Sequence, residues 1–402
     1  MSEKRTLSLR LRACRSVISF LSLRKQIIPR NSRGIALLIV MWVIIILFVI
    51  VTEFCFTMRS ELTITKNLKE ETECYYLAYA GVQAAFYELL SSFNNVYRDA
   101  EGNLILEDKS KSQISHKDAN TGDTYIERLD VKPPRRTAIP LGRGYFSYLL
   151  TDEDSKVNIN RVVRADNRPG TPYQSLRTLF LNSGVEPGVV IDTIMDSIID
   201  WRDSNKEHHL NGAEDDWYEA NYRQQGYDHP YKAKNGSFDT VEELLMVRGI
   251  TKEILYGTEK ARQLFGPDAL TDPDSDEILY TGVIQFISVF NVGRRINRNT
   301  ASDAVIEAMY PETATEILMK RETNNGRYND RLVSSYYTII STGYLPYTDT
   351  IHTIRVTVWR RGRGSNANLQ MQFWKDNEFE LFAPIQFPSD DPEDDNFSPG
   401  SK

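Results

Sequence analysis

Ile35 to Val51 reads IALLIVMWVIIILFVIV, seventeen residues without a charge, entered from Arg33-Gly34 and left through Thr52-Glu53. An α-helix needs roughly 17–25 apolar residues to cross a bilayer, so this run is just long enough. A core helix of a soluble domain would show a polar face, and this one has none, which predicts a membrane anchor. The run is longer than the apolar part of a secretory signal, and no small-x-small cleavage pattern follows it. Upstream of Ile35, nine basic residues stand against the single acid Glu3, a surplus of eight; with −7 overall, the rest of the chain carries −15. The basic leader predicts a cytoplasmic N-terminus and a translocated acidic body. A body of that sign repels nucleic-acid phosphate and favours divalent cations.

Downstream, Glu53 to Leu90 contains no proline, and Gly81 is its one glycine. Leu62, Leu68, Tyr75, Tyr76, Tyr79, Val82, Phe86 and Leu89 recur mostly at three- and four-residue steps, so the anchor is expected to continue as one amphipathic helix. Cys14, Cys55 and Cys74 are the only cysteines. Cys55 and Cys74 would stand roughly 28 Å apart on that helix and cannot bridge each other, so neither a disulfide framework nor a cysteine metal site is expected.

Beyond the helix, strand signals gather in two groups: Thr124–Val131, Tyr145–Thr151 and Val157–Asn160, then Tyr336–Thr342, Thr350–Arg360 and Leu369–Trp374. Between them the pattern is helical, with expected helices after Thr171-Pro172, over Val189–Trp201, and over Thr240–Val247 with Asp239 as N-cap. The phrases FDTVEELLMVRGITKEIL (Phe238–Leu255) and INRNTASDAVIEAM (Ile296–Met309) have helix-hairpin-helix spacing, with Thr300 or Ser302 placed to cap the following helix. Such hairpins bind DNA phosphate in many proteins; in so acidic a body they read instead as compact packing units. The reading is α+β: a long N-terminal helix on an antiparallel sheet, interrupted by a large α-helical domain with helix-hairpin-helix or SAM-like units. Its divisions are a leader (1–34), an anchor and stalk helix (35–92), a first β part (93–160), an α insert (161–327), a second β part (328–383) and a Pro-, Asp- and Ser-rich disordered tail (384–402).

The densest acidic cluster runs from Asp200 through Asp203 and Asn205 and resumes at Glu214-Asp215-Asp216. Hard oxygen donors gathered after a helix suit Ca²⁺, which takes six to eight of them. Candidate ligands are Asp203, Asn205, Glu214, Asp215 and Asp216, with Gly212 allowing a sharp turn; the twelve-residue EF-hand loop is absent. Asp272-Pro273-Asp274-Ser275-Asp276-Glu277 is a rival acidic loop. Enzyme signatures are missing. His208 and His209 are adjacent, unlike a zinc-binding His-Glu-x-x-His pair, and there is no phosphate loop or nucleophile elbow.

Arg33-Gly34-Ile35-Ala36-Leu37-Leu38 resembles the prepilin-peptidase site of type IV pilins and type II secretion pseudopilins. Further matches follow in order: Asp152-Glu153 with Lys156–Asn160, Ile199-Asp200-Trp201-Arg202-Asp203, Gly212-Ala213-Glu214-Asp215, Glu242–Ile250 and Ile296–Ser302. Together they resemble the K class of minor pseudopilins (the GspK family) from Gly34 to Trp374. That resemblance implies a pilin-like fold, cleavage after Gly34 and N-methylation of Ile35. It also implies calcium in the α-domain, and I- and J-class minor pseudopilins and the major pseudopilin as partners. The implied role is a non-enzymatic cap at the tip of the secretion pseudopilus, anchored in the bacterial inner membrane with its body in the periplasm. Ile39 stands where most pilins have a glutamate, a departure the K class shares. Arg298 stands where the family more often has an apolar residue. The alternative is a type IV-like minor pilin that binds DNA or a surface through its helical domain.

Overall fold

The structure, a computed structural model, describes residues 33–99, 102–108, 113–117, 124–128, 134–164, 170, 172–258, 280–290, 296–329, 333–346, 348, 350–362 and 366–376. Helix α1 (Arg33–Leu90) is followed by β1 (Asn95–Arg98), β2 (Leu104–Glu107), β3 (Gln113–Lys117), β4 (Thr124–Arg128), β5 (Ile139–Leu141), β6 (Gly144–Asp152) and β7 (Val157–Asn158). Helices α2 (Tyr173–Asn182), α3 (Val189–Arg202), α4 (Asp215–Asn221) and α5 (Lys252–Tyr256) come next. Then follow β8 (Ile287–Ser288), α6 (Asp303–Met309), α7 (Ala314–Thr323), β9 (Tyr336–Tyr344), β10 (Ile351–Arg361) and β11 (Asn368–Asp376). The leader before Arg33, the acidic loop Asp272–Glu277 and the tail 384–402 lie outside the described residues.

The chain forms two compact units, residues 1–68 and 69–402. In the first, α1 carries its apolar side chains uncovered: Leu37, Trp42 and Phe48 are all exposed, and the most apolar eighteen-residue window reaches a mean hydropathy of 3.0. By length and composition this helix can cross a membrane. Threonines ordinarily weaken helices through their branched side chains and competing hydroxyls. Here Thr52, Thr57, Thr63 and Thr65 each donate to the carbonyl four residues back, at 2.7–3.0 Å, so the hydroxyls are satisfied without breaking the helix.

In the second unit a five-stranded antiparallel sheet has the order β11-β10-β9-β6-β5. Alternation along the strands turns Phe146, Tyr148, Leu150, Tyr337, Ile339, Ile354, Val356 and Val358 onto the C-terminal part of α1. The buried stripe of the helix is Cys74, Leu77, Ala78, Val82, Ala85 and Leu89. It differs from the expected stripe: Leu62, Leu68 and Tyr76 are exposed, while Tyr75 and Tyr79 stack along the flank. Small residues explain the shift. Gly81 sits against Ser341 and Phe146, and Gly343 against the Cys74 carbonyl, where a Cβ has no room. Helix and sheet backbones therefore approach closely, and the small side chains define the contact. At the end of α1, Arg360 donates to the carbonyls of Leu89 (2.7 Å) and Ser91 (3.2 Å), satisfying acceptors that no further turn reaches.

β6 and β9 are hydrogen-bonded neighbours, Asp152 opposite Tyr337, yet everything from Glu153 to Ser335 is inserted between them. The insert has its own core, built on Leu176, Leu179, Phe180, Ile191, Ile194, Met195 and Ile198. Within it, Glu242–Met246 is a 3-10 turn, not the expected helix over Thr240–Val247. Asp239 does not cap it: the Asp239 carboxylate pairs with Lys234 at 2.9 Å. Glu243 instead reaches back to accept from the Asp239 amide and from Trp201 Nε1, both at 2.9 Å. The expected strand over Val157–Asn160 closes after Asn158, whose side chain caps a 3-10 turn over Ile159–Arg161.

The phrase from Asn297 to Ser302 is a buried polar knot at the root of the insert. Asp152 Oδ2 accepts from Asn297 Nδ2 (3.0 Å), Thr300 Oγ1 (2.5 Å) and Ser334 Oγ (2.5 Å), and Oδ1 accepts from the Asp154 amide (2.8 Å). Burial, reinforced by the charge of Asp154, pushes the Asp152 carboxyl up to about 7 against the pull of these hydrogen bonds. Asn299 ties β1 to the segment before β9, donating to Val96 O and Asn329 O and accepting from the amides of Tyr328 and Asn329. Of the two expected caps, Ser302 caps α6 by accepting from the Val305 amide, and Thr300 serves Asp152. Arg298 does not disturb the turn: its guanidinium lies over the rings of Tyr310 (4.2 Å) and Tyr328 (5.2 Å).

Candidate metal centre

Helix α3 ends beside the loop that carries the acidic cluster, and α4 begins on its far side with Glu214 as N-cap. The last turn of α3 presents Asp200, fully buried, to that loop. Gly212 is required by this approach, since a Cβ there would collide with the Asp200 carboxylate. It also closes the expected sharp turn, its amide donating to the His209 carbonyl at 3.0 Å. Asp200 accepts from the His209 amide at 3.2 Å and is hydrogen-bonded to His209 Nδ1. Asp203, also buried, accepts from the amide (3.2 Å) and side chain (2.9 Å) of Asn205. One ligand atom each from Asp200, Asp203 and His209 lies within 4.8 Å of the other two.

Glu214 lies near enough for its charge to couple to those of Asp200 and Asp203. It is 2 % exposed, and neither carboxylate oxygen has a hydrogen-bond partner. Burial, with the charges of Asp200, Asp203 and Asp215 adding to it, pushes its carboxyl up to about 7. Burial also raises Asp200 and Asp203. A carboxylate buried among like charges without a donor is costly unless a cation neutralises it. The side-chain amide nitrogen of Asn235, on a left-handed residue (φ +49°), donates to the main-chain oxygens of Asp203 and Asn205, each at 3.3 Å, and so fixes the loop that carries Asp203.

The five candidate ligands therefore separate. Asp203 and Glu214 belong to the buried cluster. Asn205 supports Asp203 and accepts from the Glu207 amide at 2.6 Å. Asp215 leans toward Lys206 at 2.9 Å through one oxygen, while its other oxygen is buried without a partner. Asp216 is a surface residue paired with His208 at 2.8 Å. Sequence reasoning left Asp200 and His209 out of the ligand set. The Asp-Trp-x-Asp phrase already held Asp200. The adjacency of His208 and His209 argued against a shared zinc site, but in an irregular loop the two rings turn to different carboxylates. A donor set dominated by hard oxygens would suit Ca²⁺; Asp200, Asp203 and Glu214 would then be its charged ligands, with the hydrogen bond from His209 orienting Asp200.

Residues 155–259 match the family model described as type II secretion system (T2SS), protein K. A putative type II secretion system protein K of Escherichia coli (strain K12) is 22 % identical over 230 residues, covering 56 % of this chain and 60 % of the relative. The chain thus aligns with about three fifths of that relative's length. Among solved structures, a chain of the GspK-GspI-GspJ complex from the type 2 secretion system of enterotoxigenic Escherichia coli aligns at a TM-score of 0.44 and 15 % identity, covering 80 % of this chain and 100 % of that one. Part of the insert between β6 and β9, residues 155–259, is thus similar to the domain described as type II secretion system protein K.

Proposed function

We propose that this protein is a minor pseudopilin of a type II secretion system, a structural component of the pseudopilus without catalytic activity. One observation carries the reading: a protein K domain is inserted between neighbouring strands of a sheet whose other partner is a long helix with an uncovered apolar segment. An apolar helix surface is stable only against lipid or other helices. It would serve first as a single-pass anchor in the inner membrane, then as the packing surface against the major pseudopilin and the I- and J-class minor pseudopilins. The helical insert widens the subunit, which supports a position at the fibre tip, where nothing stacks above it. Gly34 and Ile35 lie in the first turn of α1, and cleavage between them by the prepilin peptidase would leave Ile35 as the methylated N-terminus. The basic leader orients the body toward the periplasm. Calcium, held by Asp200, Asp203 and Glu214, would staple a domain that has no disulfide to do so.

The DNA-binding alternative gains no support, because the polar groups of Asn297, Asn299 and Thr300 are buried and engaged inside the protein. The decisive experiment is intact mass of the membrane-extracted protein beside a Gly34→Leu variant. Loss of 34 residues and gain of one methyl group, abolished in the variant, is the expected outcome. An unprocessed wild-type chain in a host with active prepilin peptidase would refute the assignment.

A further inference from the structure

A cavity of about 270 Å³ lies between the insert and the face of the sheet that points away from α1. It has no part in the metal cluster. Its apolar walls are Leu149 and Ile340 from the sheet, Phe373 from β11 and Phe286 from the insert, interleaved with Thr151, Thr338 and Thr357. Five charged side chains reach it, and four of them are already paired: Lys156 with Glu153 at 2.7 Å, and Arg355 with Glu242. The fifth is Arg98, at the end of β1. Arg98 is half-buried; its side chain makes no ion pair and no hydrogen bond among the described residues, and its Nε is buried without a partner. The acids within electrostatic reach of Arg98 are committed elsewhere. Asp303 is held by Arg321 at 3.4 Å, and Asp152 accepts four hydrogen bonds from neutral donors. Burial depresses the Arg98 guanidinium, and the positive charge of Arg321 adds to that effect.

Each part of this arrangement constrains a ligand. The lone unpaired guanidinium asks for one negative charge, and its flat fork of donors suits a carboxylate. The aromatic and aliphatic walls ask for an apolar body. The volume lies below the roughly 300–1,000 Å³ of drug-sized sites, so that body is small. We infer that this cavity binds a monoanionic carboxylate with a compact apolar body, either a free acid or the C-terminal residue of an extended peptide, through Arg98.

The test uses the full chain in detergent, titrated with phenylacetate and with phenylacetamide, which keeps the shape and lacks the charge. Ligand-observed NMR reads the binding. Phenylacetate is expected to bind at least about tenfold more tightly than the amide, the ratio a charge-assisted hydrogen bond supports. Arg98→Met should weaken phenylacetate by a similar factor and leave the amide unchanged, with a melting curve confirming that it folds. Ile340→Trp, which fills the cavity from the sheet side, should weaken both. An N-acetylated dipeptide ending in phenylalanine separates the sources: if it binds with the free acid, a chain terminus fits, and if the free acid alone binds, a small metabolite does. Equal affinity for acid and amide, or no binding of phenylacetate to the wild type, overturns the proposal without any variant being needed.

Discussion

Asp203→Asn removes one of two buried carboxylates whose oxygens lie within 4.8 Å of each other. At an effective dielectric near 20, like charges at that separation repel by about 3 kcal/mol. The asparagine keeps the acceptor for the Asn205 amide and loses the bond from the Asn205 side chain, a cost of about 1 kcal/mol. The repulsion outweighs the lost bond, so in chelator the variant should be more stable than wild type by about 2 kcal/mol, or roughly 4–8 °C in melting temperature. In calcium the order reverses. At free calcium of about 100 times Kd the wild type gains about 2.7 kcal/mol, while the variant, short of a charged ligand, should keep less than about a fifth of that shift. Differential scanning fluorimetry of the detergent-extracted protein, with EDTA and with excess Ca²⁺, reads both signs. A variant that melts below wild type in EDTA, or that retains the full calcium shift, would refute the account of the cluster as a strained cation site.

Gly81→Ala should destabilise the second unit by about 1–3 kcal/mol through overpacking against Ser341. Adding Ser341→Gly should recover much of the loss, a coupling that a double-mutant cycle measures. Asp152 is raised from 3.8 to about 7 in the folded state. Its contribution is therefore full below about pH 4, declines by up to about 1.4 kcal/mol per pH unit as pH rises to 7, and is gone above that. The stability difference between wild type and Asp152→Asn, measured by denaturation from pH 5 to pH 8, should follow that slope and flatten above 7; a difference independent of pH would contradict it. Cys55 is exposed and Cys74 is buried with its thiol pushed up to about 11. In detergent, maleimide should modify Cys55 in minutes and Cys74 only on unfolding, as peptide mass mapping would show.

The parts of the fold that rest on periodicity were legible. The uncharged run, the helix after it, the late strands and the helix over Val189–Arg202 follow from spacing and β-branched content alone. The face of α1 was misread because large residues drew attention, whereas the contact is made where Gly81, Ala78 and Ala85 let the backbones close in. The turn at Glu242–Met246 has helix-forming composition, but Glu243 serves Trp201 and Asp239 instead of an exposed helix face. In the metal centre, loop sequence gave the residue types and withheld their directions. Asp215 and Asp216 are neighbours of Glu214 in the chain, yet α4 turns them toward Lys206 and His208. Partner choice in a loop is a tertiary property, invisible to spacing.

The insertion between two paired strands also orders the folding of the molecule. β6 and β9 cannot zip until the ends of the intervening segment meet, and closing so long a loop at random costs entropy that slows long-range pairing. An insert that condenses first on its own core presents Asp152 and Ser334 side by side. It converts a remote encounter into the closing of a hairpin. The helical domain is therefore expected to nucleate the sheet it interrupts. Substitutions in the insert core should slow refolding, while those in β10 or β11, which join afterwards, should mainly quicken unfolding.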